Sequence, residues 1–187
     1  MARKPPPNVP TRLKSLQSRD DYLALTGLEL EALNSMRRRD QVPLKPAAEL
    51  TNRQADERGW SPYSAFALIV ALELAGMYQI SRQRAAEIAS RSLLAASRWS
   101  DISATSAQQA DGHNPDFHVL FASIALPGVR PTKKHPDPTI AVGTLGEIAA
   151  GYPMATDIVA VSATRCAALM RQRAARAKID LSEFWEH

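Results

Sequence analysis

Eight consecutive apolar residues, from Ala65 to Leu72, constrain this chain more than any other feature. Phe66, Leu68, Ile69, Val70, Leu72 and Leu74 fall on nearly every side of a helix, so that helix has no face for water and must be enclosed by other elements. The run is far below the roughly 18 residues needed to cross a bilayer, which makes it the core of a globular fold rather than a membrane span. A helix is expected over Ala65 to Ala75, with Gly76 ending it. The 187 residues, 45% hydrophobic and 22% charged, suffice to surround it with one core or two small ones.

Charge and cysteine usage narrow the class further. Residues 1–100 carry 15 Lys and Arg against 10 Asp and Glu, and residues 101–187 carry 8 against 9, so the positive excess is amino-terminal. A basic domain suits a polyanion, because each cation placed on a phosphate releases condensed counterions. The single cysteine, Cys166, can form neither an internal disulfide nor a zinc knuckle. The segment MARKPPPNVP is basic but lacks the apolar core of a signal peptide. A soluble, cytoplasmic protein in a reducing compartment is the expectation.

Residues 1–17 are expected to form a flexible basic Pro-rich arm. Ser18 then caps a helix with Asp20 and Asp21 in its first turn, Tyr22, Leu23 and Leu25 as its apolar side, and Gly27 as its stop. A second helix follows from Glu29 to about Asp40, with Leu30, Leu33 and Met36 at helical spacing, and Val42-Pro43 breaks it. Two short helices around a Gly turn, the second basic at its far end, form a helix-turn-helix candidate. Arg37, Arg38 and Arg39 point in three directions around the helix, suited to phosphates or to its own carboxyl-terminal dipole. Asn34 and Ser35 lie about a turn earlier, where a helix in the major groove meets base edges. A long connection containing Pro46, Gly59 and Pro62 leads to Arg58-Gly59-Trp60-Ser61-Pro62-Tyr63-Ser64, aromatics beside a turn and a basic residue. After the apolar helix, Ser81 caps a further helix to about Ser97, with Ala85, Ile88, Ala89, Leu93 and Leu94 on one face and arginines elsewhere.

This order, over residues 18 to 92, resembles the DNA-binding domain of MerR-type regulators. Gly27 matches the turn glycine, Leu33 the buried leucine of the second helix, Val42-Pro43 its end, and Gly59, Trp60, Tyr63 and Ser64 the wing and the next helix start. The resemblance implies a second helix in the major groove and a wing on backbone phosphates. Asn34 stands where such proteins often carry Arg, Met36 where they carry Tyr or Trp, Asp40 where they carry Gly, and the loop from Leu44 to Arg58 is longer than usual. The DNA-binding candidates are therefore Asn34, Ser35, Arg37, Arg38, Arg39, Arg58, Trp60 and Tyr63.

Residues 100–115 are small and polar and suit a linker. Beyond them Phe117 to Leu126 suits a strand, Gly128 to Pro138 a hairpin-like loop, Thr139 to Val142 a second strand, and Thr144 a short helix stopped at Gly151-Tyr152-Pro153. Asp157 to Ser162 is a third strand and Thr164 to Lys178 a helix rich in Ala and Arg. Gly143-Thr144-Leu145-Gly146 lacks the Lys-Ser/Thr and the glycine spacing of a phosphate loop. His113, His118, His135 and His187 show no metal-ligand spacing, and Cys166 suits packing. No catalytic residue, metal or cofactor is expected.

The fold class expected is α+β: a mainly helical winged helix-turn-helix domain at 18–99, a linker at 100–115, and a small α/β dimerisation or sensing domain at 116–187. The function expected is a non-enzymatic, sequence-specific transcriptional regulator or phage-type factor whose partners are double-stranded DNA, a second copy of the chain and transcription machinery, with no membrane. The alternative is a protein–protein adaptor that keeps the helical fold without DNA contact.

Overall fold

The computed structural model describes residues 18–44, 60–94, 99–112, 118–125, 139–151 and 157–185. These are mostly helical. In order they form α1 (Arg19–Thr26), α2 (Leu30–Arg38), α3 (Pro62–Tyr78), α4 (Arg82–Leu94), α5 (Trp99–Ala110), β1 (His118–Ala125), β2 (Thr139–Thr144), α6 (Leu145–Gly151), β3 (Asp157–Ser162), α7 (Ala163–Ala177) and α8 (Ser182–Trp185). The expected arm at 1–17, all but the first residue of the expected loop from Leu44 to Arg58, and the expected hairpin-like loop from Gly128 to Pro138 lie outside the described residues.

Local chemistry sets the helix ends. Ser18 and Asp21 close a reciprocal capping box at the start of α1, and Gly27 ends it at φ 70°, the left-handed backbone that glycine adopts without Cβ strain. Ser61 and Ser64 cap α3 in the same way, with Pro62 at its first position. Every residue of α3 from Pro62 to Ala71 is buried, as its all-round hydrophobicity requires, and Phe66, Leu68 and Val70 are fully enclosed. At about 1.5–3 kcal/mol per large apolar side chain, this helix is the main hydrophobic contribution to the fold.

The three strands form one antiparallel sheet of order β2-β1-β3. Phe121 stands opposite Ala141 on one side and Ala160 on the other. The β2-α6-β3 connection steps over β1, so the two outer strands run parallel with an antiparallel strand between them. β3 is thus an edge, and Tyr78 at the end of α3 meets it. Its hydroxyl donates to the Ala160 carbonyl at 2.7 Å and accepts from the Ala160 N–H at 3.1 Å.

Residues 100–110 of the expected linker at 100–115 are instead helical, and 113–115 lie outside the described residues. Residues 99–110 form α5, which packs along α7. Ile102 and Ser106 are almost fully enclosed. Ser103 and Ser106, two of the small polar residues that suggested a linker, are satisfied internally: the Arg171 guanidinium donates to Ser106 Oγ, Ser103 Oγ and the Ser103 carbonyl at 3.0–3.2 Å. Thr105 and Thr164 hydroxyls share a bond of 2.9 Å. A single core cluster runs from Tyr22 and Leu25 through α3 to Val159, Met170 and Phe184. The carboxyl-terminal tail covers its own chain: Trp185 lies under Arg171 at 4.0 Å from the guanidinium carbon, and its carbonyl accepts from Ser103 Oγ.

Because α1 packs on α3 and α7, a fragment ending at residue 100 lacks half of what encloses α1. We expect residues 1–100 alone to show no cooperative thermal transition, whereas the full chain melts as one unit; a sharp, native-like melt of the fragment by circular dichroism would contradict this.

Candidate nucleic-acid interface

α2 is divided between core and solvent. Leu33 and Met36 are buried with Trp60 in the common core, while Glu31, Ala32, Arg38 and Arg39 are exposed and Asn34 and Ser35 are half-buried. The three arginines separate as a helix of 3.6 residues per turn requires. Arg37 turns inward over the Trp60 ring, 5.5 Å from its centroid, and Arg38 and Arg39 point outward at the helix end. Glu31 puts one negative charge toward the amino-terminal end of the exposed side.

Trp60 and Tyr63 are not surface residues. Trp60 is 1% and Tyr63 3% exposed, so neither can meet a phosphate or a base in the folded protein. Trp60 packs on Tyr22 with ring centroids 4.3 Å apart, and this stack, with Arg37 above it, joins α1, α2 and the start of α3. Burial pushes the Tyr22 phenol well above its ordinary range, and the nearby Ser64 hydroxyl opposes this only in part. The candidates that reach solvent together are therefore Asn34, Ser35, Arg38 and Arg39. Arg58 lies outside the described residues.

Two arginines that sequence reasoning placed simply on the non-apolar sides of the last long helix prove to be internal clamps. Arg171 holds α5, as above. Arg173 donates from Nη1 to the Thr26 carbonyl at 2.6 Å and to the Leu25 carbonyl at 3.2 Å, placing a cation on the orphan carbonyls that end α1. Burial lowers its pKa, and the Glu73 carboxylate opposes that shift. The turn between α1 and α2 is thus held by α7. No local signal marks this, since the partners lie some 147 residues apart.

Among the described residues, no group of three His, Cys, Asp or Glu side chains is placed to hold a metal ion, and no helix is long and apolar enough to cross a membrane. Cys166 is buried in α7. Burial pushes its thiol up to about 12, with Glu73 adding to the shift and Arg165 and Arg173 opposing it. The folded state therefore favours the neutral thiol, while in the unfolded chain it ionises near pH ~8.5. The stability this contributes is intact below that pH and is lost as pH rises toward 12. Two results are expected: a disulfide reagent at pH 8 labels Cys166 far more slowly in the native protein than in the unfolded chain, and Cys166→Ala makes alkaline unfolding less steep. Immediate stoichiometric labelling of native protein would contradict the first.

The chain matches no protein-family model and no curated protein.

Proposed function

We propose that this chain is a non-enzymatic DNA-binding regulator that presents α2 to the major groove of duplex DNA. The observation that carries the reading is the partition of α2: two apolar side chains fix one side in the core, and the other side offers amide, hydroxyl and guanidinium groups within about two turns. Such a set supplies base-edge contacts from Asn34 and Ser35 and phosphate contacts from Arg38 and Arg39. Asp40 supports the MerR-type resemblance, because its φ of 57° is the left-handed backbone that glycine, frequent at that position of the family, adopts freely. The Gly27 turn supports it too. Glu31 orients the docking, since phosphates favour the basic carboxyl-terminal end of the helix over the acidic one.

A nine-residue helix spans few base pairs, and two half-sites read by a pair of copies multiply specificity, so the proposal includes a homodimer. The tail at Phe184 and Trp185 is not its surface, being committed to α5 and α7 of the same chain. Sedimentation at tens of micromolar reads the assembly state directly.

The test uses the full chain on genomic fragments across a salt series. Arg38→Ala is expected to weaken all sequences by a similar factor and to flatten the slope of log affinity against log salt by about one unit. Asn34→Ala is expected to cost about 1–3 kcal/mol on a specific site and to leave nonspecific binding nearly unchanged. If both variants fold and both retain wild-type affinity on specific and nonspecific DNA, α2 is not the reading head and the adaptor alternative replaces this one.

A further inference from the structure

A cavity of about 380 Å³ opens where α3, α5, β3 and the start of α7 converge. That volume falls in the range of small-molecule sites, which favour junctions between structural units. Met77, Val161 and Leu169 give it apolar walls, and Glu73 and Arg165 bring opposite charges to the same space. Neither charge makes a direct polar contact among the described residues: the Glu73 carboxylate acts on Arg173 through its field alone, with no hydrogen bond or ion pair, and the Arg165 side chain has none either, so the two do not pair with each other across the gap. Gln109 also lines the cavity, and its side-chain carbonyl oxygen is buried without a hydrogen-bond partner among the described residues. Opposite charges that make no hydrogen bond or ion pair among the described residues, set apart over an apolar floor, match a ligand carrying both charges and a short apolar body. A lone amine would leave Arg165 unanswered, and a lone carboxylate would be repelled by Glu73.

We infer that this cavity binds a small zwitterion of amino-acid size, its ammonium toward Glu73, its carboxylate toward Arg165, and an aliphatic side chain against Met77, Val161 and Leu169. No covalent step is involved. The inference is independent of DNA binding, because the site lies among α3, α5, β3 and α7 and its occupancy is read without DNA.

The test is isothermal titration of the full chain with L-leucine, L-valine and L-methionine, followed by two leucine fragments, 3-methylbutylamine and 4-methylpentanoate. Saturable one-to-one binding of at least one amino acid is expected, with each fragment weaker by at least ~10-fold, as losing one charge-assisted contact implies. Glu73→Gln and Arg165→Gln should each weaken the amino acid by a similar factor, while Arg84→Gln, remote from the cavity, should not. Should either cavity variant fail to fold, the fragment series on the wild-type chain decides alone. Absence of saturable binding by all three amino acids overturns the inference, as does a fragment that binds as tightly as its parent.

Discussion

Trp60→Ala should lower the stability of this protein by about 3–5 kcal/mol, the usual cost of deleting a large buried aromatic side chain. For a chain of this size that is a fall in melting temperature of roughly 6–20 °C. Trp60 is 1% exposed and lies between Tyr22 of α1 and Arg37 of α2, so its loss opens a cavity where three segments meet. Trp60→Phe is the informative companion. It keeps a ring on Tyr22 and removes an indole N–H that is buried without a hydrogen-bond partner among the described residues, a group whose burial itself costs about 1–3 kcal/mol. The phenylalanine variant should therefore lose less than half of what the alanine variant loses. Equal losses in the two variants, measured by chemical denaturation, would mean that ring packing is not what Trp60 contributes.

Gly27→Ala should cost about 2–4 kcal/mol, from two causes that can be separated. The left-handed backbone at φ 70° imposes about 1–2 kcal/mol on any residue with a β-carbon. A β-carbon there would also stand 2.7 Å from Arg173 Nη2 and 2.8 Å from its Cζ, forcing the guanidinium off the carbonyls that end α1. In an Arg173→Ala background the second cause disappears, so Gly27→Ala should then cost only the backbone part. A double-mutant cycle with no coupling beyond about 0.5 kcal/mol would show that the side chain yields without loss.

The parts of the fold that could be read from sequence are those whose causes are local. The apolar run of α3 has a single physical solution, burial, and Ser18, Gly27 and Ser81 mark helix ends through hydrogen bonds to residues a few positions away. The strands at 118–125, 139–144 and 157–162 follow from β-branched and aromatic residues between turn signals. What was illegible depends on distant partners. Residues 100–110 have the composition of a linker, and partners some sixty or more positions on, Arg171, Thr164 and Trp185, let their hydroxyls be buried. Trp60 and Tyr63, beside a glycine and an arginine, have the composition of a wing, yet Tyr22 draws Trp60 inward. For the candidate site, helical geometry dictates that three successive arginines diverge. That Arg37 is the inward one follows from the position of Trp60, which no spacing rule contains.

The contact between Tyr78 and Ala160 bears on how this protein meets its own copies at high concentration. An uncovered edge strand presents alternating donors and acceptors to which any extended segment can add. At Ala160 both members of one such pair are already occupied by a single phenolic oxygen, so an incoming strand must displace an intramolecular partner that is present at every moment and at no loss of translational freedom. The register an intruder would need is interrupted in the middle of β3. The β3 edge is therefore less open to an added strand, and the residue that blocks it belongs to the helix packed against it.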